Sequence, residues 1–221
     1  MEWQILEGVP EADVARVLDM ARKRTFRKGE VVFHEGDPGD TLHLVRSGRF
    51  AVKVTTQYAD EAILSVLRAG DIFGELALLS PNAPRSATVV ALEPSETLSV
   101  HQLDFGRLRR EHPGVGDVLI SVLSAQVRRL SRHLLEALYT PADTRVRRRV
   151  LELVDIYAPD TPDGAPITIP LTQDDLADLA GTSRATVNRV LREDEARGIV
   201  ELGRGRTLVR DRDGLAKWAG L

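Results

Sequence analysis

The chain has 221 residues, 43% hydrophobic and 29% charged, with a net charge of −3; that is enough for two small globular domains and too acidic for a general polyanion binder. It contains no cysteine, which excludes a disulfide frame, a thiol nucleophile and a cysteine-ligated iron–sulfur cluster, and fits a reducing cytoplasm. No run of about twenty apolar residues and no signal-peptide pattern occurs, so no membrane partner is expected. Divided after residue 137, the chain carries 17 basic against 19 acidic residues and then 13 against 14. Neither part is basic, so any affinity for nucleic acid has to come from a local patch.

In chain order, Val14, Val17, Leu18 and Ala21 recur at helical spacing, which predicts a short helix over Glu11–Lys23 after Pro10. From Phe26 to about Leu103 the pattern changes to short apolar runs (31–33, 42–45, 50–54, 63–67, 87–91 and 97–100) parted by Gly/Asp/Pro turn clusters. Many short strands at near-regular spacing predict an antiparallel sandwich or roll. Within it stands Phe73-Gly74-Glu75-Leu76-Ala77, followed eleven residues after its glycine by Arg85-Ser86. Glycine lets an anion approach the backbone, and a turn of free N–H groups cradles it. Arginine offers a planar fork of donors to a phosphate, serine adds one more, and a carboxylate accepts from a sugar hydroxyl. A lone Gly-Glu-Leu would read as a strand–turn–strand with a surface ion pair; with Arg-Ser at this spacing the set reads as a small nucleotide pocket.

Asp104 is expected to cap a helix over Phe105–Arg110. Pro113 opens the longest helix, to about Leu138, with Leu119, Leu123, Val127, Leu130, Leu134 and Leu138 at threes and fours. That row is a seam for a second copy of the helix. Pro141 breaks it and Asp143 is expected to cap the next helix, whose arginine run (145, 147, 148, 149) reads as a solvated face. A Pro/Asp/Gly loop over Pro159–Pro166 follows. Thr172 then reads as an N-cap with acids behind it; Leu176, Leu179 and Ala180 form a buried stripe and Gly181 turns the chain. Ser183 starts a second helix with Val187, Val190 and Leu191 inward and Arg184, Ala185, Asn188 and Arg189 outward. This is a helix-turn-helix, and runs 199–202 and 207–209 around Gly203-Arg204-Gly205-Arg206 make a hairpin wing. From Gly181 to Arg210 there are seven arginines and four acids, a local surplus that suits base edges and phosphates of duplex DNA. The five histidines show no metal spacing, and no nucleophile–base–orienter set appears, so neither a metal nor an enzyme is expected.

Together these stretches resemble the catabolite-activator/FNR superfamily of bacterial transcription regulators. The resemblance implies an α+β fold: an antiparallel β-roll over 1–112, a dimerisation helix over 113–139 and a winged helix-turn-helix over 140–221. It implies a homodimer that binds cyclic AMP or a similar effector and sets its reading heads on a pseudo-palindromic operator, with RNA polymerase touched near the 159–166 loop. The effector contacts implied are Glu75 to the ribose hydroxyl, Arg85 and Ser86 to the cyclic phosphate with backbone at Gly74, Leu76 and Ala77, and Leu130 and Ser131 where a Thr/Ser pair usually meets the purine. The DNA contacts implied are Arg184 and Arg189 to guanines, Ser183 and Thr186 to phosphates, and Thr172, Gln173, Ala185, Asn188, Arg204 and Arg206 beside them. Three departures from the family pattern stand out. Leu130 cannot bond an adenine amino group, so the effector is cyclic AMP held differently, another cyclic nucleotide, or dispensable. Ala185 stands where a glutamate is usual and cannot accept from cytosine. Asp194 stands where the family is usually apolar. A winged domain that binds protein instead of DNA is the alternative from another class.

Overall fold

The computed structural model describes residues 3–57, 61–79, 83–161 and 165–221. They form two compact units, Met1–Thr56 with Leu64–Arg129 and Gln57–Ile63 with Leu130–Leu221.

In the first unit a 3₁₀ turn (Gln4–Leu6) and α1 (Glu11–Met20) precede β1 (Arg22–Phe26), β2 (Val31–Phe33), β3 (Thr41–Ser47), β4 (Phe50–Thr55), β5 (Glu61–Leu67) and β6 (Ile72–Phe73). Then come α2 (Glu75–Leu79), β7 (Thr88–Ala91), β8 (Ser95–His101), α3 (Gln102–Glu111) and α4 (Gly114–Tyr139). Two four-stranded sheets, β1-β8-β3-β6 and β2-β7-β4-β5, make the expected antiparallel roll. Strand β3 shows how one apolar run serves two layers. Leu42 and Leu44 point to a core with Trp3, Ile5, Val17, Phe105, Leu108, Val115 and Leu119. Val45, on the alternate face, joins Phe26, Phe50, Phe73 and Val89 inside the roll.

The structure departs from three local expectations. The first helix ends at Met20, because Arg22 to Phe26 pair with Ser99 to Ser95 of β8; this edge strand buries only Phe26, so its pattern carries little strand signal. The N-cap of α3 is His101, whose ring accepts from the Leu103 N–H at 3.2 Å, and Asp104 lies inside the first turn. On α4, Leu119 is buried and Leu123 packs on the same core, so the exposed row starts later than the predicted seam; Val127, Leu130, Leu134 and Leu138 lie open on the single chain.

In the second unit α5 (Ala142–Tyr157), β9 (Ile167–Ile169), α6 (Gln173–Ala180), α7 (Arg184–Ala196), β10 (Val200–Gly203), β11 (Arg206–Val209) and α8 (Arg212–Trp218) follow in order. The sheet order is β10-β11-β9, so the wing is a hairpin backed by a third strand. Asp143 makes no cap: Pro141 holds that position of α5 without a side-chain bond. The arginine run is not a solvated face. Arg147 and Arg149 are buried, and Arg145 donates to the carbonyls of Thr140, Ala180 and Gly181 at 2.8–3.0 Å. Part of the predicted 159–166 loop, residues 162–164, lies outside the described residues.

Candidate functional site

The pocket candidate is built where β6 runs into α2. Gly74 stands at φ +86°, and a Cβ there would sit 2.6 Å from Arg85 Nη1 and 2.8 Å from the Thr41 carbonyl oxygen. Only glycine lets the two segments approach this closely. The first N–H groups of α2, including those of Leu76 and Ala77, have no acceptor within the helix. Leu76 and Ser86 are exposed, and the Ala77 side chain lies outside the described residues.

Arg85 is 4% exposed. Its Nη1 donates to the carbonyls of Thr41 (2.9 Å) and Gly74 (3.2 Å), and its Nη2 to Thr41 Oγ1 (2.8 Å). The guanidinium carbon lies 4.1 Å from the centre of the Phe33 ring, a cation–π contact. Its Nε is buried without a hydrogen-bond partner. Burial draws the Arg85 pKa down, against the pull of Asp40, Asp37 and Glu75. Glu75 is 5% exposed; burial pushes its carboxyl above the usual range, opposed by its own N–H, the Gln126 side chain and Arg85. The two are therefore not a surface ion pair. Beneath them His43 stacks on Phe73 with centroids 4.8 Å apart, and burial, then Arg85 and Arg24, push its pKa down to about 3. A buried cation with an unmatched donor, a backbone that admits an anion and a protonation-prone carboxyl fit an anionic, hydroxyl-bearing ligand. Leu130 and Ser131 are exposed on α4, among residues grouped with the C-terminal unit.

In that unit Thr172 and Asp175 form a capping box on α6, and Gly181, at φ +58°, ends it in the left-handed conformation. Ser183 caps α7 by accepting from the Thr186 N–H at 3.2 Å. Arg184, Ala185, Asn188 and Arg189 are exposed on α7, as are Arg204 and Arg206 in the wing. Several are already engaged. Asn188 donates to Gln173 Oε1 at 2.9 Å, Arg184 lies 3.4 Å from Asp174, and Arg189 grips Asp143 at 2.5 and 3.0 Å and Glu193 at 2.8 Å. Arg189 in turn holds the Asp143 carboxyl below its ordinary range.

Thr41, Phe33, Gln126 and Asp143 are the residues sequence reasoning missed, or misassigned in the case of Asp143; each acts across 44 to 52 residues, and no local signal marks them. Among the described residues no group of three or more metal-ligating side chains occurs. No described helix is long and apolar enough to cross a membrane.

Residues 23–112 match the cyclic nucleotide-binding domain family, and residues 128–218 the Crp-like helix-turn-helix domain family. The chain is 32% identical over 207 residues to the cyclic AMP receptor protein of Thermus thermophilus, covering 94% of this chain and 92% of the relative. It is 28% identical over 215 residues to the CRP-like cAMP-activated global transcriptional regulator of Mycobacterium tuberculosis, covering 97% and 96%. The crystal structure of the Thermus thermophilus catabolite activator protein matches at 31% identity and TM-score 0.55 over 98% of both chains. The c-di-GMP responsive regulator CLP of Xanthomonas campestris shares the fold at 20% identity, with TM-score 0.78 over 90% of this chain and 99% of that one. On this evidence the chain belongs to the CRP/FNR superfamily, whose members are transcription regulators rather than enzymes.

Proposed function

We propose that the cyclic nucleotide-binding domain and the Crp-like helix-turn-helix domain together make this chain a cyclic-nucleotide-responsive transcription regulator. We propose, beyond that, that this chain acts in the cytoplasm as a homodimer whose affinity for a pseudo-palindromic operator is set by cyclic AMP in the roll, and that it works with RNA polymerase. The observation that carries the effector reading is Arg85, a buried guanidinium with its Nε unpartnered, beside Gly74 and the buried Glu75. The phosphate goes to Arg85 and Ser86, and the ribose hydroxyl to Glu75. Leu130 and Ser131 meet the purine by contact rather than by a bond from Leu130. The base contacts go to Arg184, Ala185, Asn188 and Arg189, and the phosphates to Thr172, Gln173, Ser183, Thr186, Arg204 and Arg206. The domain limits 1–112, 113–139 and 140–221 are part of this reading.

Calorimetric titration of the purified chain with cyclic AMP and cyclic GMP tests it. Arg85→Ala is expected to cost about 1.5–3 kcal/mol of effector affinity, the worth of hydrogen bonds to a charged group. Silence of the parent with both nucleotides, and an operator affinity indifferent to them, would refute effector control. One observation favours a second reading: Leu130 is apolar and 44% exposed on the helix expected to dimerise. Under that reading the unliganded dimer already sits in the DNA-binding state, and Leu130→Thr makes DNA binding depend on nucleotide.

A further inference from the structure

The arginine of the pocket is not free to swing, and the way it is held determines which of its donors a ligand meets. A guanidinium has five N–H donors in one plane. Both Nη1 hydrogens go to carbonyls, of Thr41 at 2.9 Å and of Gly74 at 3.2 Å, and one Nη2 hydrogen goes to Thr41 Oγ1 at 2.8 Å. Thr41 therefore takes the far end of the guanidinium with two adjacent acceptors, its carbonyl and its hydroxyl. What remains is the Nε–H and the second Nη2–H, side by side on one edge. Such an edge is the fork that binds two oxygens of one phosphate. The Nε of this edge is the buried, unpartnered nitrogen.

The hydroxyl is held in its turn. Thr41 Oγ1 lies 3.4 Å from His43 Nε2, and His43 Nδ1 lies 3.1 Å from Thr97 Oγ1. With the imidazole neutral, all bonds run one way: Arg85 donates to Thr41, Thr41 to His43, and His43 through Nδ1–H to Thr97. His43 is itself fixed against Phe73, and Phe33 lies under the guanidinium. Any residue at position 41 would supply the carbonyl. The threonine hydroxyl adds the second acceptor, which serine keeps and valine or alanine lacks.

We infer that Thr41 is a positioning residue of the effector pocket, which clamps Arg85 end-on so that its Nε–Nη2 edge is preset for the phosphate of a cyclic nucleotide. This rests on the effector reading above, and the experiment separates the two. Isothermal titration with cyclic AMP and with its Rp and Sp phosphorothioates is run on the parent, Thr41→Val and Thr41→Ser. The parent should prefer one thio isomer, because the fork addresses particular oxygens. Thr41→Val should lose about tenfold in cyclic AMP affinity and bring the Rp/Sp ratio toward one, and Thr41→Ser should restore both. If valine lowers the melting temperature of the unliganded protein, Thr41→Ala, which adds no bulk, repeats the measurement. Unchanged affinity and isomer ratio in Thr41→Val overturn the clamp. Equal losses for both isomers that serine does not recover also overturn it, since they mark mere packing. A parent that binds none of the three ligands overturns the effector reading itself, and the clamp with it.

Discussion

At the scale of single residues, the pocket is assembled from side chains that are costly to bury. His43 is the clearest case, since burial and the neighbouring Arg85 and Arg24 cations hold its pKa at about 3. The unfolded chain takes up a proton at this histidine below about pH 6.5, its ordinary value, while the folded chain stays neutral until near pH 3. Between those limits the unfolded state binds more protons, so stability falls as the pH falls. The slope approaches about 1.4 kcal/mol per pH unit, or roughly 3 kcal/mol by pH 4. His43→Gln keeps a hydrogen-bonding side chain without a titrating ring. Urea unfolding of parent and variant between pH 7.5 and 4.5 should show the parent losing stability more steeply, by close to one proton. Parallel slopes would mean that the imidazole is accessible to protons in the fold. Glu75 works in the opposite sense: its raised pKa means that burial of its charged form costs stability at neutral pH, a cost in keeping with the hydroxyl-acceptor role proposed for it.

At the scale of elements, the reading helix α7 is bolted down by a charge that the family pattern does not lead one to expect. Asp194 is fully buried. It accepts from Arg147 of α5 through Nε and Nη2 at 2.9–3.1 Å and from Arg197 at 3.0 Å, while Arg197 lies 4.2 Å from the Trp218 ring centre in α8. Breaking such a pair strands a buried guanidinium, so Asp194→Ala should cost about 3–5 kcal/mol, whereas Arg147→Met with Asp194→Leu should recover most of it. Urea unfolding read from Trp218 fluorescence in a Trp3→Phe background checks this, and a single-variant cost below about 1 kcal/mol would rule the bolt out. The same pair shows what the sequence could not reveal. Periodicity and capping chemistry made β3, α4, the Thr172 cap, the Gly181 turn and the wing legible, because each depends on residues within a few positions. The arginine run read as solvent-facing because its acceptors lie elsewhere: Asp194 is 47 residues from Arg147. Strand β1 and the Thr41–Arg85 clamp, 44 residues apart, are non-local in the same way. The approach of Arg85 to Gly74 was legible from residue type and spacing alone, and the ligand it would serve belongs to the proposed function.

At the scale of the whole molecule, the exposed side of α4 asks for a partner. Ile120, Val127, Leu134 and Leu138 are each more than 60% exposed on the single chain, with Leu130, Leu135 and Tyr139 beside them. A row this apolar and this long is unusual for a monomer surface, and its spacing by threes, fours and sevens is that of a two-helix seam. A second copy related by a two-fold axis covers such a row with itself. Under the function proposed above, such a dimer would offer one reading helix to each half-site of the operator. A charge in the seam should therefore act on assembly and DNA binding together. Leu134→Glu combined with Leu138→Glu is expected to give a monomer by sedimentation velocity and to weaken operator binding by roughly a hundredfold or more, since linked half-sites gain that much from one another. Melting of the roll should be little changed, because neither residue belongs to its core. A variant that still sediments as a dimer would move the interface off α4. A monomer that binds its operator as tightly as the parent would show that one reading head suffices.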